Sequence, residues 1–530
     1  MKKLLSVGIF VMAVGLCAAA PQPAGIFGHN MVLQRDRAVP VWGWVEPGQA
    51  VRVAFGGQEV VAVTDESGKW MVTLKAMPAS AEPREMTISG GGTNNPTVLT
   101  NVVVGEVWLC SGQSNMEWPL ARATNGKAET AAADFPMIRH IKVGAGASPT
   151  PMRDVKAVWQ VCSRQTAARF TAVGYFFGRR LHKELDVPIG LIGSNWGGTR
   201  IEPWTPPVGF RAVPELKAIS DKVDATDPTS AAGSAVYRKV IADIKDWVPK
   251  AEGALDVGAV PPPMPRLPVV GRGQQAPTMI YNGRIHPLIP YALRGAIWYQ
   301  GESNGSEGEI YLHKMKALIS GWRSLWGYEF PFYYVQLANF GAPNKKPQGG
   351  DGYAGVRDAQ RRALSIPKTG MAVIIDIGLA RNIHPPNKQD VGTRLALWAL
   401  AKEYGREKLI YSGPLYKSHR IEGDAIHVAF SHVGSGLMIG SKTGLKPVVE
   451  QEVGFPGDGD EASLKQFAIA GRDKTWHWAE AEIDGDTVVV RCAAVPDPVA
   501  VRYAYRHNPA GCNLYNLEGL PAAPFRTDDW

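Results

Sequence analysis

The sequence predicts an α/β core with a mostly parallel sheet, flanked on both sides by β-rich regions. Three observations predict it. Apolar runs of strand length alternate with helical periodicity from about residue 101 to 405. Short apolar runs separated by turn residues fill residues 21–100, and the β pattern returns over 406–530. The chain has 530 residues, enough for several domains, and its 45% hydrophobic and 20% charged content is that of an ordinary globular protein.

Residues 1–20 read as a signal peptide. Lys2 and Lys3 supply a basic start, Leu4 to Leu16 are nearly all apolar, and Ala18, Ala19 and Ala20 offer small residues for cleavage. The apolar run is too short to span a membrane, and no other segment is long enough. This predicts an exported protein, periplasmic or extracellular. Cys17 raises lipid attachment as an alternative, against which Leu16 stands where a small residue would be expected.

In the first β region, Val39–Trp44, Val51–Phe55 and Met71–Leu74 alternate with the turn signals Glu46-Pro47-Gly48, Gly56-Gly57 and Ser67-Gly68. They predict a small β-sandwich, with Gly90 to Pro96 as a loop near its edge. In the central region Val102–Cys110 reads as a buried strand, Ala172–Leu185 as a helix and Pro188–Gly193 as the next strand. Strands follow at Arg294–Tyr299, Phe332–Leu337 and Met371–Ile377, with a helical stretch over Ile310–Trp326. Lys388–Glu403 places Val391, Leu395 and Trp398 on one helical face. Residues 205–275 break this rhythm and end in Pro261-Pro262-Pro263-Met264-Pro265, which predicts an insertion, partly helical around Ala235–Trp247. Ala425–Phe430, Ala479–Ile483 and Thr487–Val490 read as strands of the last region.

The net charge is +8, but the basic residues are scattered without a Lys/Arg run. That pattern predicts a solvated basic surface and not a nucleic-acid site. Beyond Cys17, the cysteines are Cys110, Cys162, Cys492 and Cys512. An exported compartment permits disulfides, and Cys110–Cys162 and Cys492–Cys512 are plausible local pairs, with buried free thiols as the alternative. Their spacing does not suit zinc.

Four polar clusters follow strands where an open parallel sheet binds its ligands. Ser111-Gly112-Gln113-Ser114-Asn115-Met116 puts a serine at a tight strand-to-helix turn, exposed and beside its own backbone N–H; a helix cap is the plain alternative. Gly193 to Arg200, with Gly197-Gly198, lets backbone N–H groups approach a ligand, although Gly-Gly also marks ordinary turns. Trp298-Tyr299-Gln300-Gly301-Glu302-Ser303-Asn304 offers an amide and a carboxylate, or simple loop caps. Asn382-Ile383-His384-Pro385-Pro386-Asn387-Lys388 places a histidine in a loop from which it can serve as a base.

Together the four clusters resemble the SGNH hydrolase superfamily and, more narrowly, its sialate O-acetylesterase branch. The resemblance reaches both flanks, through Asn30-Met31-Val32-Leu33-Gln34-Arg35 near the start and Asn513-Leu514-Tyr515-Asn516 and Pro524 to Trp530 at the end. It implies a flavodoxin-like three-layer α/β/α domain and a carbohydrate O-acetylesterase, with O-acetylated sialic acid the leading substrate. Acetylated xylan or xyloglucan is the second. It implies Ser114 as nucleophile, His384 as base, an oxyanion hole made by Ser114, Gly198 and Gln300, and neither metal nor cofactor. Many members carry an aspartate three residues before the histidine; Arg381 stands there, and arginine cannot accept a hydrogen bond. Asp376 is the first candidate for the missing acid, Glu302 the second and Asp390 the third. A backbone-supported dyad is the alternative. Trp196, Trp204 and Tyr299 are candidate sugar-stacking rings or core residues, and Arg200 could meet a substrate carboxylate or pair with Glu202. The departure at Arg381 also raises a non-catalytic glycan-binding protein, and the superfamily a lipid esterase.

Overall fold

The computed structural model describes residues 20–144, 146–266, 273–343, 345–451 and 463–530. Most of the expected signal peptide, residues 1–19, lies outside the described residues. The heart of the fold is a sheet in the order Trp159–Cys162, Phe135–Lys142, Ile189–Asn195, Thr93–Gly112, Gly295–Tyr299, Phe332–Val335, Thr369–Ala372. All neighbours along this path are parallel except the outermost pair, Trp159–Cys162 with Phe135–Lys142. Strand propensity and burial explain the core members: Ile189–Asn195 and Gly295–Tyr299 are buried along their whole length, as strands covered on both faces must be.

Successive side chains of a strand point to opposite faces, and the tryptophans show what covers each face. Trp108 packs edge-on against Phe177 of the helix Ala172–Leu185, at 5.0 Å between ring centroids. On the same face Tyr333 lies against Trp398 of the helix Lys388–Glu403. On the other face Trp298 packs edge-on against Trp322 of the helix Ile310–Trp326, at 6.0 Å. Each such buried ring removes enough apolar surface from water to contribute about 1.5–3 kcal/mol.

Several expected boundaries move. Gly90 to Pro96 is not a loop at a domain edge. Gly90 pairs with Thr93 across a turn at Gly91 and Gly92, whose φ values of 67° and 73° suit a two-residue hairpin. The strand that leaves this turn, Thr93–Gly112, then runs unbroken across the expected boundary at residue 100. It pairs with Ser80–Gly90 and Val32–Gln34 in the N-terminal β region, then with Ile189–Asn195 and Gly295–Tyr299 in the central sheet. The strand expected to end at Ile377 ends at Ala372, and an irregular segment carries the chain on toward His384. Phe135–Lys142 and Trp159–Cys162 were not expected as strands. The insertion is more helical than expected, with helices Pro207–Arg211, Lys217–Asp224 and Ala231–Asp256. Phe210, Val213, Leu216 and Val223 anchor it on Ala317. The cysteines Cys110, Cys162, Cys492 and Cys512 are all free, so neither expected pair is a disulfide. No described helix is long and apolar enough to cross a membrane.

Two buried polar clusters tie the flanking β regions to the sheet. Glu106, fully buried on the long strand, receives Arg35 and Arg294, the latter through both Nε at 2.8 Å and Nη2 at 3.1 Å. Gln34 completes the cluster, donating to Glu106 at 3.0 Å and accepting from the Val107 N–H at 2.8 Å. At the other end the buried guanidinium of Arg357 donates to the carbonyls of Leu337, Ala338, Arg506 and His507. Removing one partner of a buried charge cluster leaves the others uncompensated. Glu106→Gln should therefore lower the unfolding free energy by about 3–5 kcal/mol, read from urea denaturation; an unchanged midpoint would show that the cluster contributes no net stability.

Candidate active site

The parallel register sets Gly112 level with Asn195 on one neighbouring strand and Tyr299 on the other. Three of the four polar clusters therefore meet at one edge of the sheet, at the centre of its strand order. Gly112 has φ 134°, and a Cβ there would lie 2.2 Å from the Tyr299 carbonyl oxygen. The next residue, Gln113, donates its N–H to that same oxygen at 3.0 Å. Gln113, not Ser114, occupies the cap position of the helix Ser114–Glu117, and its side chain makes no cap bond. Ser114 is thus the first helical residue. Its hydroxyl is free of capping duty, and its N–H has no acceptor within the helix.

The Ser114 hydroxyl meets the imidazole of His384, Oγ to Nε2 at 2.8 Å. His384 sits in the irregular segment before the helix Lys388–Glu403, and several contacts fix that segment. The His384 N–H donates to Asn382 Oδ1 at 2.9 Å, the Ile383 carbonyl accepts from Asn115 Nδ2 at 3.0 Å, and the Pro386 carbonyl accepts from the Thr124 N–H at 2.8 Å. The imidazole stacks on Trp118, with centroids 5.1 Å apart and planes 21° apart. Burial holds the His384 pKa below the usual imidazole value, and the positive charges of Lys388 and Arg122 lower it further. The neutral ring that can accept a proton is therefore the favoured form.

The candidate acids are elsewhere. The Asp376 carboxylate is taken by Arg394 in a two-point pair at 2.6 and 2.8 Å, with the Tyr515 hydroxyl at 3.5 Å. Asp376 thus ties the sheet to the C-terminal β region and does not reach the imidazole. It also lines a polar cavity of about 230 Å³, together with Lys442, Cys512 and Tyr515, that includes neither Ser114 nor His384. Asp390 is held by Asn387 at 2.6 Å and Lys442 at 2.7 Å. Glu302 accepts from Asn115 Nδ2 at 2.6 Å, and burial raises its carboxyl pKa. Among the described residues no carboxylate is hydrogen-bonded to His384.

The expected oxyanion donors divide. Gly197 lies directly against Ser114, since a Cβ there would be 3.3 Å from the serine Cβ. Its N–H is held by Glu117 Oε2 at 3.0 Å, and Glu117 is itself paired with Lys142 at 3.0 Å. That contact fixes the turn at Gly198, whose φ of 71° needs glycine. Gln300 is not available. It is fully buried, its Nε2 donates to the Thr199 carbonyl at 3.1 Å and to Asn304 Oδ1 at 2.7 Å, and its Oε1 accepts from Tyr311 at 2.7 Å. Its amide braces the strand ends from behind.

Trp204 and Tyr299 are fully buried core rings. Trp196 is half-buried, with the Arg284 guanidinium 4.3 Å over its ring. Arg200 is paired with Glu202 and Glu307, and Lys314 bridges the same two carboxylates at 2.6 and 2.5 Å. Five residues of the site receive no role from the sequence: Asn115, Glu117, Trp118, Arg122 and Lys388. The first three lie within the Ser114 motif or directly after it, which was the available signal. Arg122 is exposed, with its guanidinium 4.6 Å from the Trp118 ring centroid.

Removing the Arg122 charge relieves a penalty on the imidazolium. Arg122→Gln should therefore raise the His384 pKa, measured by NMR titration of the ring; an unmoved or lowered value would show that Arg122 exerts no field on the site.

No protein-family model matches the chain. It is 30% identical to a sialate O-acetylesterase of Rattus norvegicus over 556 residues, covering 95% of this chain and 93% of that protein. It is 31% identical to a sialate O-acetylesterase of Homo sapiens over 428 residues, covering 74% of this chain and 73% of that protein. Among solved structures, a carbohydrate acetylesterase from Xanthomonas citri superposes with a TM-score of 0.78 at 36% identity, over 96% of this chain and 100% of that one. A shared sequence and fold along nearly the whole length leave one assignment: the chain belongs to the sialate O-acetylesterase family and is a carboxylic ester hydrolase.

Proposed function

We propose that the protein removes acetyl groups from glycan hydroxyls through an acyl-enzyme on Ser114. The observation that carries this reading is the 2.8 Å bond between Ser114 Oγ and His384 Nε2, beside an N–H that no helix residue uses. His384 takes the serine proton as Oγ attacks the acetyl carbonyl, then returns one to the departing sugar oxygen. Water then attacks the acetyl-serine by the same proton route, releasing acetate. The Ser114 and Gly198 N–H groups receive the developing oxyanion. The α/β sheet is of the SGNH type in this reading, and the pattern of residues 1–20 supports export.

O-acetylated sialic acid is the substrate favoured by the names of the relatives. One observation favours the second reading, a neutral acetylated polysaccharide such as xylan. Arg200, the sequence-level candidate for a sugar carboxylate, is already paired with Glu202 and Glu307.

Acetate release from both substrates separates the two readings. Ser114→Ala should lower turnover by about 10³–10⁶-fold without changing the fold, and near-normal turnover would remove Ser114 as nucleophile. His384 must be neutral to act as base, and its pKa is lowered. The acid limb of the kcat/KM profile should accordingly lie below the usual imidazole range, and a limb at or above that range would contradict the assignment.

A further inference from the structure

Lys388 is the unusual residue beneath the proposed dyad. It opens the helix Lys388–Glu403, yet it is fully buried. Its ammonium lies 5.1 Å from the centroid of the Tyr299 ring and 5.8 Å from that of Trp118. A buried ammonium is costly unless paired, and the half-buried Glu302, with its Oε2 enclosed, lies nearby. The two do not form a direct ion pair. The side-chain amide of Asn115 stands between them instead, accepting from Lys388 through Oδ1 and donating through Nδ2 to Glu302 Oε1 at 2.6 Å.

The chemistry of the partners dictates which way this amide points. Lys388 in its charged form only donates and so faces Oδ1; burial lowers its pKa to about 7, with the charge of Glu302 opposing that shift. The Ile383 carbonyl accepts in every protonation state, and the Glu302 carboxylate does so when ionised, so Nδ2 faces both. A flipped amide would set like against like at all three contacts. Lys388 and Glu302 thus lock Asn115 from opposite sides, and the second Nδ2 hydrogen is aimed at the Ile383 carbonyl, 3.0 Å away. That carbonyl belongs to the peptide bond of His384.

We propose that Lys388 is a positioning residue for His384, acting through Asn115 to hold the histidine backbone in register with Ser114 where no carboxylate holds the imidazole ring. The proposal rests on the Ser114–His384 reading. Asn115 follows the serine directly in sequence, so the same amide ties both halves of the dyad together. The charged and titratable groups that face this cluster are Glu302, His384, Arg122 and Tyr299, with Arg357 behind Glu302.

Steady-state kinetics on the full chain test it, with a chromogenic acetyl ester as probe. Lys388→Met frees the amide and should lower kcat about tenfold to a hundredfold while leaving KM within about twofold. It also removes a cation beside His384, so the acid limb of kcat/KM should move to higher pH. Lys388→Arg retains donor and charge and should recover part of kcat and the original limb. An unchanged kcat in Lys388→Met would overturn the proposal, as would a loss that Lys388→Arg leaves uncorrected. Should Lys388→Met not fold, Asn115→Asp is decisive. It cannot donate to Ile383, yet it leaves Lys388 a partner. It should show the same loss of kcat, with a lowered melting temperature because a carboxylate then faces Glu302, and wild-type kcat would overturn the proposal. Ser114→Ala is measured alongside. Full activity in that variant would refute the dyad itself, whereas an inactive Ser114→Ala beside a fully active Lys388→Met would refute only the positioning role.

Discussion

Gly112 has no room for a side chain, and the geometry of the site follows from that fact. The long strand Thr93–Gly112 must end where its backbone presses on the Tyr299 carbonyl, with a Cβ-equivalent distance of only 2.2 Å. Because the neighbours are parallel and in register, the same point is level with Asn195, where the segment carrying Gly197 and Gly198 begins. Ser114 can sit nowhere else once that register is set. The strand is in turn held at its middle by Glu106, where Arg35 and Arg294 converge. Stability of the N-terminal β region and placement of the serine are thus carried by one piece of backbone.

The electrostatics around His384 are unusual for a base expected to become positively charged. Its neighbours in charge are the cations Lys388 and Arg122, and no carboxylate touches the ring among the described residues. This arrangement favours the neutral imidazole in the resting state and gives less help to the imidazolium that the proposed reaction requires. Orientation must then come from contacts other than a ring-bound acid. The structure supplies them through the backbone on both sides of the ring, at Asn382 and Ile383, and through the Trp118 face. Entropy lost on folding replaces orientation by a carboxylate, and it does so before any ligand arrives.

Much of the sheet and part of the site were legible in the sequence. Strands covered on both faces are continuous apolar runs, and the polar clusters that end them stand out by contrast. That is why Ser114, Gly198 and His384 could be placed on strand ends and loops. Asp376 and Gln300 show where such reading stops. Each is a polar residue beyond the carboxyl end of a strand of the central sheet, Gln300 directly after Tyr299 and Asp376 in the irregular segment after Ala372. Each is consumed by a partner from another element: Arg394 for Asp376, Tyr311 and Asn304 for Gln300. Lys388 was hidden for a related reason. Position 388 falls on the helical face of Val391, Leu395 and Trp398. A charge there does not announce what it meets, and its partner Asn115 comes from the serine turn. The unbroken strand across residue 100 was obscured because Gly91 and Gly92 look the same in a hairpin as at a domain edge.

The rim of the site gives a last physical contrast. Sugar rings bind well to open aromatic faces, and the two half-buried tryptophans beside Ser114 are the natural places for one. Both already carry a guanidinium, Arg122 at 4.6 Å over Trp118 and Arg284 at 4.3 Å over Trp196, and Trp118 also carries the His384 imidazole. Arg284 is further committed, donating to the Asn195 carbonyl at 2.9 Å, while Arg122 is exposed and has no ion pair among the described residues. The rim therefore offers a sugar planar donors and positive charge more than bare apolar area. A ligand whose hydroxyls and carboxylate face these groups gains charge-assisted hydrogen bonds, which are directional. An apolar acyl chain gains none of them, so this rim suits a small acyl group on a polar carrier better than a lipid ester.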